Sequence, residues 1–442
     1  MEHATMISNP LMFAATSDFS GVTRGKAFPL KEMEKRFRQG VGWTPTNVQI
    51  TCFDTIAESP FGSFGDLILV PDADTAVTLD LEDGGPVERF VLGDILHLDG
   101  DPWSCCTRSI LKTALKRLED VSGLRLVAAF EHEFQSRNPS QGPGEAFGLA
   151  SFGKHRAFGE TVMAALEVAG VKPDTFLKEY GTDQFEVTNG PDLGVTAADT
   201  AVKVRAVTKL VGERMGEPVT FVPIRDPAGV GNGVHVHMSF VDENGKPATY
   251  DPDAPWGMAE KTGSFIAGIL KYMDSIVALT APSAISYTRL TPHRWSAAFN
   301  NLGYHDREAA VRICPVTSAS AESAAKQYNF EYRAADATAS PYLVLAALAH
   351  AGAQGIEEGL AAPQVTEEDL SELPAATLAE RGLVRLPQSL GEALDRLEQN
   401  PRVAEWIGAE ALDVYLKHKR GELAQTADLS EAERCARYEA VY

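Results

Sequence analysis

The chain is poor in basic residues. Its 40 lysines and arginines are outnumbered by 61 aspartates and glutamates, a formal charge of −21. A phosphate backbone needs a basic face, so this balance argues against nucleic acid as a main partner, and an anionic membrane surface fits no better. Cysteine is scarce as well: Cys52, Cys105, Cys106, Cys314 and Cys435 make an odd number, with no Cys-x-x-Cys pair. That pattern provides neither a disulfide framework nor a thiolate zinc site, and it fits reduced thiols in a cytoplasmic protein. No apolar run of about 20 residues is expected to cross a membrane. The short apolar stretch from Met6 to Ala15 has no lysine or arginine before it, unlike a secretory leader. Internal repeats and low-complexity segments are also missing.

What is present is enough apolar sequence, 44% of 442 residues, for two or three domains. Residues 1–103 read as a small β-rich domain. Asn47–Phe53, Gly65–Pro71, Ala76–Leu79 and Phe90–Leu96 are strand-like runs bounded by Gly, Pro and Asp. Asp99-Gly100-Asp101-Pro102 marks a turn and a boundary. Residues 104–442 then alternate helix and strand. Ile110, Leu111, Ala114, Leu115 and Leu118 recur at helical spacing, and a strand is expected from Leu124 to Phe134. Further helices are expected at about 158–169, 197–213, 255–280 and 340–354, and strands at 219–224 and 234–241. The part from about 363 is charged and amphipathic. The class is α/β or α+β.

The central stretch is Gly231-Asn232-Gly233-Val234-His235-Val236-His237-Met238-Ser239. Strand alternation puts His235, His237 and Ser239 on one face. By itself this also describes two surface histidines on a half-exposed strand. Other segments share the design. Glu131 and Glu133 sit on one face at the end of an apolar strand. Glu179 precedes a Gly-containing turn, and Glu186 shares a face with Gln184. Glu331 and Arg333 share a third strand face. Each alone is an ordinary polar strand end. Together they give five glutamates and a histidine, rich in oxygen and poor in sulfur, a donor set for Mg²⁺ or Mn²⁺ rather than Zn²⁺. Two such ions can clamp phosphate oxygens. Arginines suited to bidentate contact with phosphate or carboxylate stand nearby, at Arg289, Arg307 and Arg312.

The order of these pieces resembles the glutamine synthetase family. Five motifs carry the likeness: Glu-His-Glu-Phe, Glu-Tyr-Gly-Thr-Asp-Gln-Phe-Glu, Gly-Asn-Gly-Val-His-Val-His-Met-Ser, Asp-Arg-Glu-Ala-Ala-Val-Arg and Glu-Tyr-Arg-Ala-Ala-Asp. The resemblance implies an α+β fold: an N-terminal β-grasp domain over 1–103, and a catalytic domain over 104–442 with a curved antiparallel sheet. It implies a ring-shaped homo-oligomer, a dodecamer, with active sites shared between neighbours. It implies ATP and two divalent ions. Glu133, Glu179 and Glu186 would hold one ion, and Glu131, His235 and Glu331 the other. His237, Ser239 and Lys326 fall where the family contacts ATP. Arg307 and Arg312 match its phosphate-binding arginines. Arg289 would hold the α-carboxylate of glutamate, with Arg333 near the γ-carboxylate and Gly231 admitting backbone to the amino acid. Arg307, Arg312 and Arg333 form the implied catalytic set. ATP would phosphorylate the γ-carboxylate, and an amine would then displace phosphate.

Two departures bear on that amine. Ammonia-using members carry an Asp where this chain reads Gly40-Val41-Gly42-Trp43-Thr44-Pro45, and a flap glutamate where it has Trp295. Val230 stands where a glutamate-contacting Asn is expected. An aromatic in place of a carboxylate suits an organic amine better than ammonium. The expected activity is therefore a γ-glutamyl–amine ligase. The alternatives are a true glutamine synthetase and a nucleotide-binding scaffold.

Overall fold

The computed structural model describes residues 7–139, 145–318 and 320–442. The first sheet is built from β1 (Leu11–Ser17), β2 (Thr23–Pro29), β3 (Val41–Trp43), β4 (Leu67–Pro71), β5 (Val77–Leu79) and β6 (Glu88–Leu96), with helix α1 (Met33–Gln39) between β2 and β3. Its order is β2-β1-β6-β4-β3, and β5 also pairs with β6. β1 and β6 are parallel while their neighbours are antiparallel. Of the N-terminal apolar stretch, Met6 lies outside the described residues, and Leu11–Ser17 is strand β1. The strand expected over 47–53 is not formed. Pro45, with its fixed φ, opens a 3-10 turn over Pro45–Gln49, and only Ile50 makes a bridge, to Ile56.

Helix α2 (Thr107–Ser122) leads into the long strand β7 (Arg125–Ser136). Ile110, Leu111, Ala114 and Leu118 are buried on one α2 stripe, and Gly123 ends the helix in the left-handed region. Then follow α3 (Leu149–Val168), β8 (Pro173–Lys178), β9 (Gln184–Asn189), β10 (Asp192–Leu193), α4 (Val195–Met215), β11 (Val219–Thr220) and β12 (Val234–Val241). Next come α5 (Glu260–Thr280), α6 (Ser286–Arg289), β13 (Leu302–Gly303), β14 (Val311–Ile313), α7 (Ala321–Gln327), β15 (Phe330–Tyr332), α8 (Pro341–Glu357) and β16 (Val365–Thr366). The chain closes with α9 (Ala375–Glu380), α10 (Leu390–Gln399), α11 (Pro401–Ile407), α12 (Ala409–Ala424) and α13 (Glu431–Glu439). The strand expected over 219–224 pairs only at Val219 and Thr220. The helix expected from 158 begins at Leu149, and the one expected from 255 begins at Glu260, after a turn.

Among the described residues the second sheet has ten strands, in the order β16-β13-β14-β15-β12-β7-β9-β8, with β10 and β11 also on β7. It is antiparallel except where β13 pairs with β14 and β16. α5 is long and apolar enough to cross a membrane by length and composition, so the expectation that no such stretch exists was too strict. Of its most apolar window, 83% is buried inside the protein. It packs on α8 through glycines. A Cβ on Gly268 would fall 2.1 Å from the Ala351 carbonyl oxygen, and one on Gly355 2.1 Å from that of Ser264. Such separations forbid any side chain, so the two helices approach as closely as backbones allow.

One buried arginine fastens the first sheet to helix α4. Arg108, at the start of α2, donates to both oxygens of Asp199 on α4 at 3.0 Å. It also donates to Asp94 on β6 at 2.9 Å and to Asp72 after β4 at 2.7 Å. Tyr342 donates to the same Asp199 at 2.6 Å. Removing the guanidinium would leave Asp199 buried without its ion pair, held by the Tyr342 hydroxyl. Arg108→Met is expected to cost about 3–5 kcal/mol of unfolding free energy in urea titrations. A change under about 1 kcal/mol would mean that this clasp does not hold α4 to the first sheet.

Candidate active site

Strand register assembles the site. β7 pairs with β12 so that Glu131 lies opposite His235, and with β9 so that Glu133 lies opposite Glu186. On the far side of β12, His237 lies opposite Glu331 of β15, and Glu331 lies opposite Arg312 of β14. Glu179 follows β8 in the turn that leads to β9. Alternation then turns these side chains to one face. The His-x-His strand is therefore not an exposed strand with surface histidines: it runs between β7 and β15, and His235 is buried. Glu331 and Arg333 are likewise no surface pair, for both are buried.

All six carboxylate and imidazole candidates line one cleft of about 490 Å³, with His237, Arg289, Arg307, Arg312, Arg333, Gly231 and Trp295. Two expected nucleotide contacts stand apart from its walls. Ser239 lies farther along β12, and Lys326 is exposed on α7, where it pairs with Glu322 at 2.9 Å. Some wall residues were not singled out as site residues: Tyr180, Gln184 and Cys314. Gln184 donates to Gly231 O at 2.9 Å and to Asn232 Oδ1 at 3.0 Å, which joins β9 to the glycine loop. Its place on the Glu186 face was the available signal. Nothing local marked Tyr180 or Cys314.

The two ends of the cleft differ in charge. At one end, His237 Nε2 lies 3.1 Å from Glu131 and 3.1 Å from Glu331, and His235 Nδ1 lies 3.4 Å from Glu131. Arg333 donates to Glu331 at 2.7 Å, and Arg312 contacts the same oxygen. Burial opposes ionisation of Glu331, yet His237 and Arg333 hold its carboxyl far below the usual range. Glu131 is likewise held low, against its burial, by His237 and His235. At the other end, Glu133 accepts the Gly233 N–H at 2.5 Å and Glu179 that of Tyr180 at 2.9 Å. There, burial and the carboxylates of Glu131, Glu133 and Glu179 push Glu186 up to about 9. Burial and Glu133 raise Glu179. Oxygen donors this close together, short of positive charge, fit a hard divalent cation. Ligand atoms of Glu131, Glu186 and His235 lie within 4.8 Å of one another, as do those of His237, Cys314 and Glu331.

The glycines at the end of the cleft pack tightly, and Gly231 is required, for a Cβ there would fall 2.5 Å from the Pro223 carbonyl oxygen. A Cβ on Gly231 would sit 2.8 Å from Arg289 Cγ, and one on Gly233 2.5 Å from an Arg289 guanidinium nitrogen. Arg289 is buried and donates to the Arg333 and Ala334 carbonyls at 3.0 and 3.4 Å. Val230 also lines the cleft, and at its mouth Trp295 packs on Tyr180 with ring centroids 5.3 Å apart.

A mixed sheet that gathers carboxylates and imidazoles on one face, flanked by arginines, has the donor set that metal-assisted phosphoryl transfer uses. The glutamine synthetase catalytic domain matches residues 104–438, and the glutamine synthetase N-terminal domain matches residues 1–103. The chain belongs to the glutamine synthetase family of ATP-dependent carbon–nitrogen ligases. It is 31% identical to the gamma-glutamylpolyamine synthetase of Streptomyces coelicolor, over 99% of this chain and 96% of that one. It is 29% identical to the glutamine synthetase of Thermococcus kodakarensis, over 96% of this chain and 92% of the relative. A crystal structure described as a novel glutamine synthase homolog superposes with a TM-score of 0.90 at 40% identity, over 100% of both chains. An ADP complex of GmaS, at 24% identity, shares the fold with a TM-score of 0.81, over 96% of this chain and 95% of that one.

A carboxyl that holds its proton more tightly in the folded than in the unfolded chain stabilises the fold below the unfolded pKa. That contribution fades as pH rises through the folded value. For Glu186 the window runs from 4.5 to about 9. In chelator, the melting temperature of the wild type relative to Glu186→Gln is expected to fall across that window. Mg²⁺ should restore it most at the alkaline end. A difference between the two proteins that is flat with pH would refute the crowding of Glu186.

Proposed function

We propose that the chain condenses the γ-carboxylate of glutamate with an organic amine, at the expense of ATP. The observation that carries this reading is the pairing of Trp295 with Tyr180 at the mouth of the cleft. A complete acidic and arginine set lies beneath them. An aromatic wall gains by covering alkyl or aryl surface, and ammonium offers none. The likeness to a gamma-glutamylpolyamine synthetase points the same way. Val41–Trp43 is strand β3 and does not line this cleft.

In this reading Glu133, Glu179 and Glu186 hold one ion, and Glu131, His235 and Glu331 the other. Either Mg²⁺ or Mn²⁺ suits this oxygen-rich donor set. When bound, the two ions neutralise charge on the phosphates of ATP. Arg289 receives the α-carboxylate of glutamate beside Gly231. Arg307, Arg312 and Arg333 face the charge that develops when a γ-carboxylate oxygen attacks the terminal phosphorus and ADP leaves. His237, with Ser239 and Lys326 outside this cleft, would serve the nucleotide. The uncharged amine attacks the acyl carbon, phosphate departs, and the amine's extra proton is lost to a base or to water. Trp295 packs on the amine's carbon chain. The division of the chain at 103/104, a ring-shaped homo-oligomer of twelve subunits with shared sites, and a cytoplasmic location complete the proposal.

The test is phosphate release from ATP and glutamate with Mg²⁺, across ammonia and a panel of amines. An organic amine is expected to support release, and Glu331→Ala to lower it by roughly 100-fold or more. Trp295→Glu is expected to move selectivity toward ammonia. Ammonia serving the wild type as well as any amine would defeat the reading.

A further inference from the structure

One carboxylate ties down the loop that carries Trp295. Glu308 accepts the backbone N–H of His293 at 2.9 Å on one oxygen and that of Trp295 at 2.8 Å on the other. Both residues have left-handed backbone, with φ of 62° and 55°. Bulky side chains rarely adopt it, and such a conformation persists where neighbours over-determine it. Glu308 is itself fixed, its own N–H donating to Asp306 at 2.7 Å. It stands between Arg307 and Arg312 in the chain, so the Trp295 loop is bound to the arginine loop. Arg333 holds the same unit from the other side, with contacts to the Trp295 carbonyl at 3.5 Å and the Arg307 carbonyl at 2.9 Å.

Trp295 is not fixed by burial. It is 52% exposed, and its partner Tyr180 is 58% exposed. Yet the indole lies at a boundary. A neighbouring cavity of about 470 Å³ is lined by His293, Glu308, Glu368 and Asp369, and it shares Trp295 and Arg307 with the catalytic cleft. The position of that wall sets how much room an acceptor finds, and the backbone on which it hangs is held by Glu308. Each Glu308 oxygen accepts a backbone amide of the Trp295 loop, which suits a group that orients that loop.

We propose that Glu308 is a positioning residue that sets acceptor selectivity, by holding the His293 and Trp295 amides on one carboxylate and so keeping the indole as a wall of the acceptor pocket. The proposal rests on the reading of the cleft as an amine ligase. Glu308→Ala and Glu308→Gln are compared with the full-length wild type for transfer of the γ-glutamyl group to the preferred organic amine and to hydroxylamine, which is too small to need the wall. Glu308→Ala is expected to raise KM for the organic amine about 10-fold or more, with kcat and hydroxylamine use changed by less than about three-fold. Glu308→Gln keeps one oxygen for one amide and should fall between. In the double variant with Trp295→Ala, the loss should be no greater than in Trp295→Ala alone. An equal loss for both acceptors, an unchanged KM, or losses that multiply in the double variant would overturn the proposal. A second readout needs no acceptor. Acrylamide quenching of Trp295 fluorescence, taken as the difference from Trp295→Phe, should increase in Glu308→Ala, and an unchanged value would also overturn it. An enzyme that used ammonia alone would defeat the reading of the substrate, while quenching would still judge the Glu308 bracket.

Discussion

Uncompensated negative charge on one face of the central sheet is the constraint from which the site follows. Glu133 and Glu186 are brought together by register and Glu179 by the turn after β8; all three are half-buried, and among the described residues no lysine or arginine is bonded to them. Like charges this close raise one another's proton affinity, and a fold gains nothing in stability by collecting them. Slipping β7 by one residue against β12 or β9 would turn the glutamates to the opposite face. Pairing along the whole length of β7 guards against that slip, as does the hold of Gln184 on the glycine loop.

The other end of the cleft is balanced within the protein. Glu331 is met by Arg312, Arg333 and His237, and Glu131 by both histidines. One end therefore lacks positive charge of its own, while at the other Arg312 and Arg333 already stand beside Glu331. This gradient suits a reaction that carries negative charge from a nucleotide to a carboxylate. The rest of the chain keeps the sheet in place. Arg108 joins helix α4 to the first sheet, and α5, crossing α8 through glycines, packs Phe265 on Phe240 and Phe330 of the central sheet.

Legibility in the sequence followed the range of the interactions. β12 and α2 could be read from periodicity, because alternation and the 3.6-residue stripe are local. Glu131 and Glu133 could be read because strand alternation puts residues two apart on one face, while Glu179, Glu186 and Glu331 gained meaning only from the order of the motifs. Asn47–Phe53 misled, because β-branched composition there is overruled by Pro45 and the turn it opens. Helix starts near 149 and 260 were misplaced because neither helix has a side-chain cap to announce it. Tyr180 beside Trp295, and Glu308 beneath it, join positions far apart in the chain, and no spacing rule reaches them. Ser239 and Lys326 show the converse: motif position put them with the nucleotide, while side-chain placement puts them outside the cleft's walls.

The most direct measurement follows oxygen. Glutamate labelled with ¹⁸O in its γ-carboxylate is incubated with ATP, Mg²⁺ and an organic amine, and the released phosphate is weighed by mass spectrometry. Activation of the carboxylate as an acyl phosphate requires that one labelled oxygen per turnover leave with phosphate, matched by one γ-glutamyl amide. Unlabelled phosphate, or labelled phosphate with no amide, would contradict the account.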